Sequence, residues 1–141
     1  MTRLTLRLDF DENRQLGPGK VRILESVDSA GSITAAAKAM DMSYRRAWLL
    51  IDELNHMFEG PLVETRLGGR GGPNARLSLL GRAVVQLYRA IETESRQVSA
   101  ARIDELKRRL GPVNAVKKAP AVSAAAPKEA GRRGRKPKVR A

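Results

Sequence analysis

Four consecutive residues, Ser43, Tyr44, Arg45 and Arg46, carry the most pointed chemistry in this chain. A serine can cap a helix by accepting a backbone N–H of its first turn, and two arginines just after it stand where the helix presents its partial positive charge. Arginine's planar fork suits guanine O6 and N7 or a phosphate, so the combination points to nucleic-acid recognition by the start of a helix. Tyr44 either packs over the preceding turn or donates its hydroxyl to a phosphate. Arg70, flanked by Gly68, Gly69, Gly71 and Gly72, has neither the lysine nor the following helix of a phosphate-binding loop, and fits the tip of a hairpin touching DNA backbone or minor groove. Lys38 and Arg66 suit solvent or phosphate contact better than base reading.

Other chemistries are excluded by what is missing. With no cysteine there is no disulfide, thiolate metal site or cysteine nucleophile, and the single histidine, His56, cannot assemble a metal cluster alone. Asp52 and Glu53, side by side on a helix, diverge and make no carboxylate pair. The expectation is a binding protein without cofactor, metal or effector site, not an enzyme. Lys and Arg number 27 against 15 Asp and Glu, and the resulting +12 implies a polyanionic partner. The excess is uneven: residues 1–110 carry net +4 and residues 111–141 net +8. The longest apolar run, Ala47 to Ile51, is five residues, and MTRLTLRLDF carries charges where a signal peptide would be apolar, so a soluble cytoplasmic protein with no membrane partner, located at the nucleoid, is expected.

The elements that must position these residues follow from periodicity. Arg3 to Phe10 alternates, with Leu4, Leu6, Leu8 and Phe10 on one face, as in a half-buried strand. DENRQ and Gly17-Pro18-Gly19 form a turn, and Val21, Leu24 and Val27 open a helix of about three turns closed by Gly31. Ser32 caps a second helix whose inward face, Ile33, Ala36, Ala37 and Met40, is made of small side chains that let another helix approach. Asp41-Met42 breaks the pattern and Ser43 caps a third helix, with Ala47, Leu50, Ile51, Leu54 and Phe58 inward and Trp48 assigned to the core. Two helices joined by about three residues make a helix-turn-helix. Residues 62–77 form a hairpin with a basic glycine tip, and Ser78 starts a long helix to about Leu110. Its apolar residues Leu80, Val84, Leu87 and Ile91, followed by Val98 and Leu106, have little else to bury against, so they predict pairing with a second copy.

That order predicts a mainly α fold with a small β component: a winged helix-turn-helix over 1–78, a long C-terminal dimerisation helix over 79–110 and a disordered basic tail over 111–141. The stretch GPGKVRILESVDSAGSITAAAKAMDMSYRRAWLLIDELN, followed by PLVETRLGGRGGPNARLSLLGRAVVQLYRAIE, resembles the N-terminal DNA-binding domain of the molybdate-responsive ModE regulators over about residues 17–92. The resemblance implies a LysR-like winged helix, a homodimer formed through flanking helices, and control of molybdate uptake or molybdoenzyme genes. Asp41 stands where that family usually has glycine, and aspartate tolerates a left-handed backbone. Pro73 stiffens one arm of the wing. No counterpart of the family's oxyanion-binding domains follows the long helix, so DNA binding insensitive to molybdate is expected.

The tail holds eight Ala, four Pro and nine basic residues among 31, a composition that builds no core. Within it Arg133-Gly134-Arg135 resembles an AT-hook, whose arginines lie along a narrow A·T minor groove, although Lys136 intervenes before Pro137. The expected function is a sequence-specific, double-stranded DNA-binding transcriptional regulator acting as a homodimer, with the helix from Ser43 in the major groove. The alternative is an architectural nucleoid protein of low specificity, driven by the tail.

Overall fold

The computed structural model describes residues 2–67 and 74–113. The elements run β1 (Leu8–Asp9), β2 (Gln15–Leu16), α1 (Pro18–Ala30), α2 (Ile33–Ala39), α3 (Tyr44–Asn55), β3 (Val63–Arg66), β4 (Asn74–Leu77) and α4 (Leu79–Arg108), with β1 antiparallel to β2 and β3 to β4. This is a mainly helical fold with a small β part. The chain divides into two units after Ala100. Of the second unit only the end of α4 and the residues to Val113 are described, and there Arg108 and Arg109 pair with Glu105.

The first strand is shorter than its alternation predicts. Leu4, Leu6 and Leu8 are half-buried and Arg3, Thr5, Arg7 and Asp9 exposed, so the two-residue period is real, but only Leu8–Asp9 has a ladder partner. The partner strand is two residues long because Pro18 opens α1 immediately after Gly17. The segment expected to be only a turn therefore contains β2. Its tight part is built by Asp11, whose carboxylate accepts from the backbone N–H of Asn13 (3.0 Å) and Arg14 (2.9 Å), and Arg14 holds that carboxyl below its ordinary pKa. Phe10, at the end of the alternating run, is exposed and meets Phe58 edge to face at 6.0 Å.

The capping signals at Gly31, Ser32 and Ser43 hold, while α1 starts at Pro18, inside the segment expected to turn. Gly31 closes α1 with φ 83°, a left-handed conformation that a side chain would strain. Ser32 accepts from Ala35 N–H at 3.0 Å and Ser43 from Arg46 N–H at 3.1 Å, satisfying first-turn donors of α2 and α3. Between α2 and α3 the chain turns through Asp41 at φ 56°, and Met42 N–H returns to the carbonyl of Ala37 at 3.0 Å. Ala36, Ala37 and Ala47 are buried, so the α2 and α3 backbones approach closely over small side chains. Val21, Ile23, Leu24 and Val27 of α1, Ile51 and Leu54 of α3, and Leu62, Val63 and Leu77 of the wing complete one core.

Helix α4 begins in this same core. Ser78 Oγ donates to the Pro61 carbonyl (2.7 Å) and accepts from Gly81 N–H (2.9 Å), capping the helix while tying it to the start of the wing. Tyr88 is fully buried, donates its hydroxyl to the Leu6 carbonyl at 2.6 Å, and has its pKa pushed up by burial. Arg89 grips Glu25 of α1 through two hydrogen bonds (2.8 and 2.9 Å), which holds the Glu25 carboxyl below its usual range.

The apolar stripe of α4 divides. Val84, at 6% exposure, lies inside the chain's own core and half-buried Leu80 packs against it. A heptad-like spacing marks one helix face without saying who covers it. Leu87 (65% exposed), Ile91, Val98 and Leu106 remain open to solvent.

Candidate nucleic-acid interface

Everything about the site follows from the rotation of α3. Ala47, Ile51 and Leu54 face the core. At about 100° per residue the opposite side belongs to Arg45 and Leu49, with Tyr44 and Trp48 on one flank and Arg46 on the other. All five are exposed, Trp48 at 44% and Leu49 at 47%. Trp48 is thus corrected from core to surface: it lies one residue past buried Ala47, and that step carries it out toward the wing. A wheel centred on Ala47 and Leu54 would have revealed this, and would also have singled out Leu49.

The Tyr44–Trp48 flank forms one wall of a groove of about 670 Å³, whose other sides are Thr34 of α2 and Thr65, Arg66 and Asn74 of the wing strands. Tyr44 and Arg66 are brought to this groove together. Arg46 turns instead into a smaller hollow of about 290 Å³ with Arg7, Lys20, Met42 and Leu50. Arg45 stands between the two on the outermost line of the helix. Lys38 is exposed in the last turn of α2 and lines neither hollow. Arg70, expected at a wing tip, and Arg133, Gly134 and Arg135 lie outside the described residues.

Among the described residues, Lys38, Arg45, Arg46 and Arg66 make no ion pair, whereas Arg7, Arg14, Lys20, Arg76, Arg82 and Arg89 each have a carboxylate within 4.0 Å. The cations around α3 and its groove are therefore available to an anionic ligand. His56 is exposed, with Nδ1 2.7 Å from the Asp52 carbonyl, at the C-terminal cap of α3. Among the described residues there is no group of three or more His, Cys, Asp or Glu that could hold a metal ion, and no helix long and apolar enough to cross a membrane.

The wing is held to α3 by a residue that motif reasoning passed over. Asn55, the last residue of α3, accepts through Oδ1 from the backbone N–H of Leu62 (2.8 Å) and Val63 (2.9 Å), and donates through Nδ2 to the Val63 carbonyl (3.2 Å). The far strand is fixed by Ala75 N–H donating to the Gly31 carbonyl at 2.8 Å. Gly81 lies against the Leu62 backbone so closely that any Cβ would overlap the Leu62 carbonyl oxygen. Wing, α3 and α4 thus meet at Leu62.

The helix-turn-helix carries a two-stranded wing, with Arg45 and Arg46 lacking an ion-pair partner among the described residues, and residues 19–82 match the family described as bacterial regulatory helix-turn-helix protein, lysR family. The chain carries a LysR-type helix-turn-helix domain in its N-terminal region, of the kind found in ModE-type regulators. It is 38% identical over 108 residues to the molybdenum transport protein ModE of Azotobacter vinelandii, covering 77% of this chain and 38% of that protein. It is 35% identical over 85 residues to the DNA-binding transcriptional dual regulator ModE of Escherichia coli K12, covering 60% and 32%. It is also 38% identical over 78 residues to the molybdenum-pterin-binding protein MopA of Rhodobacter capsulatus, covering 55% and 29%. The chain therefore spans about a third of the length of these relatives.

Proposed function

We propose that this chain is a sequence-specific regulator of transcription that binds double-stranded DNA as a homodimer, with α3 in the major groove and the wing on the backbone or minor groove. The observation that carries this is the first turn of α3: a serine-capped helix start whose Tyr44, Arg45 and Arg46 are all exposed, with both guanidinium groups unpaired among the described residues. A helix end of this kind reaches base edges when the preceding helix braces it, as α2 does here through the Asp41 turn. Arg45, on the outermost line, reads guanine, while Arg46, Lys38 and Arg66 neutralise phosphates and set the register. Leu87, Ile91, Val98 and Leu106 form the contact with the second copy, which places two recognition helices on half-sites related by two-fold symmetry.

The test is selection of bound sequences from a random pool, followed by footprinting. An inverted repeat, bound at least about a thousandfold more tightly than random DNA, supports a regulator. The net +8 of residues 111–141 favours a second reading, an architectural protein for which the tail supplies most of the affinity. That reading predicts no preferred sequence and no symmetric footprint.

A further inference from the structure

The most exposed part of α3 is not purely cationic. Leu49 and Trp48 stand in line with Arg45, one turn on, and with Tyr44 they make an apolar surface on the element expected to enter DNA. Placing two large apolar side chains in water at this position gains the fold nothing, since the core behind them is closed by Ala47, Ile51 and Leu54. Their surroundings select the occupant. Arg45, Arg46 and Arg66 lie on the same helix or line the same groove without an ion-pair partner among the described residues, so the surface that covers Trp48 and Leu49 must be polyanionic yet present apolar groups of its own. An ordinary apolar protein helix would leave those guanidinium groups uncompensated. The major groove of DNA meets both requirements at one kind of base pair, because thymine alone displays a methyl group there.

We propose that Trp48 and Leu49 make α3 selective for thymine by seating its 5-methyl group, with Arg45 reading a neighbouring guanine. This rests on the proposal that α3 occupies the major groove. Tyr44 and Thr34 close the groove side, so the methyl nearest the wing falls to Trp48 and the one on the outer line to Leu49.

The experiment replaces thymines of the selected site one at a time with deoxyuridine, which keeps the O4 acceptor and deletes only the methyl, and measures affinity for the full chain. Two positions in each half-site should lose affinity about fourfold each, the equivalent of one buried methyl group. Trp48→Ala and Leu49→Ala, both at exposed positions, should bind the thymine site more weakly and be indifferent to uracil at one position apiece, while still responding at the other. A preferred sequence bound equally well with uracil at every thymine overturns this inference and leaves the proposed function standing. Failure to select any preferred sequence overturns both. Variants that bind the thymine site as tightly as the parent chain overturn the inference too, and assign Trp48 and Leu49 to a protein partner instead.

Discussion

Replacing Asn55 with alanine should unhitch the wing from α3. The side chain satisfies two backbone donors, Leu62 N–H and Val63 N–H, and one acceptor, the Val63 carbonyl. Leu62 and Val63 are both buried, so the two donors would be stranded in a place where water substitutes poorly. A buried donor left unsatisfied costs about 1–3 kcal/mol, and because Asn55 is itself only half-buried some rehydration is possible, giving an expected loss of about 2–4 kcal/mol. In a unit of this size each kcal/mol moves Tm by about 4–8 °C. Urea titration followed by circular dichroism reads the loss as a lower midpoint at unchanged slope. Asn55→Asp keeps an acceptor for both N–H groups but sets a carboxylate oxygen against the Val63 carbonyl where the amide donated, so it too should lower the midpoint. A loss below about 0.5 kcal/mol for alanine, less than a single net hydrogen bond supplies, or an aspartate variant as stable as the parent, would refute the assignment of Asn55 as the wing's anchor.

Gly81→Ala should be more severe than any surface change on α4, since its Cβ would collide with the Leu62 carbonyl oxygen and force α4 away from the wing; a markedly lower Tm checks it. Arg45→Ala should lower affinity for the selected site by about 1–3 kcal/mol and relax base preference at one position, read by competition against single-base variants. Glu25 has its carboxyl lowered by the Arg89 hydrogen bonds, so its contribution to stability is present above the ordinary glutamate pKa and disappears as pH falls through the lowered value. Glu25→Gln should therefore differ most from the parent near neutrality and converge with it in acid, in urea midpoints measured across pH. Exchanging Leu87 and Ile91 together for lysine should yield a monomeric mass in light scattering with the helical signal retained, because both side chains are already exposed. Deleting residues 111–141 should flatten the dependence of log affinity on log salt by about 0.9 for each phosphate the tail neutralises.

Local signals were legible wherever a single residue type decides the backbone. Ser32 and Ser43 cap, and Gly31 and Asp41 take positive φ, each for a reason contained in its own chemistry, whereas Pro18, expected in a turn, opens α1. What the chain order hid was partnership. The alternation over residues 3–10 promised a long strand, and its length was decided by β2, two residues bounded by Pro18. Val84 and Leu87 sit three apart on α4 with the same apolar character, yet one is in the core and the other in solvent, because α4 rests on α1 and the wing along one line only. Asn55 was visible within a resemblance but not as a clamp, since its three partners lie seven and eight residues further along the chain.

Trp48 shows where hydrophobic patterning fails for a physical reason. A large aromatic next to Ala47 and before Leu50 and Ile51 looks like core under any rule that sorts residues by polarity. On a recognition helix the outward face must meet base edges, and one of the four bases carries a methyl group, so apolar character is useful on both sides of the helix. The inward side is held in register by constraints at both ends of α3: the Asp41 turn and Ser43 cap at the start, and the Asn55 clamp on Leu62 and Val63 at the finish. Rotating α3 by one residue would bring Trp48 into the space filled by Ala47, against the buried alanines of α2, which leave no room for an indole. The small core residues of α2 and α3 thus do more than permit close approach. They keep the large side chain outside, where the function we propose requires it.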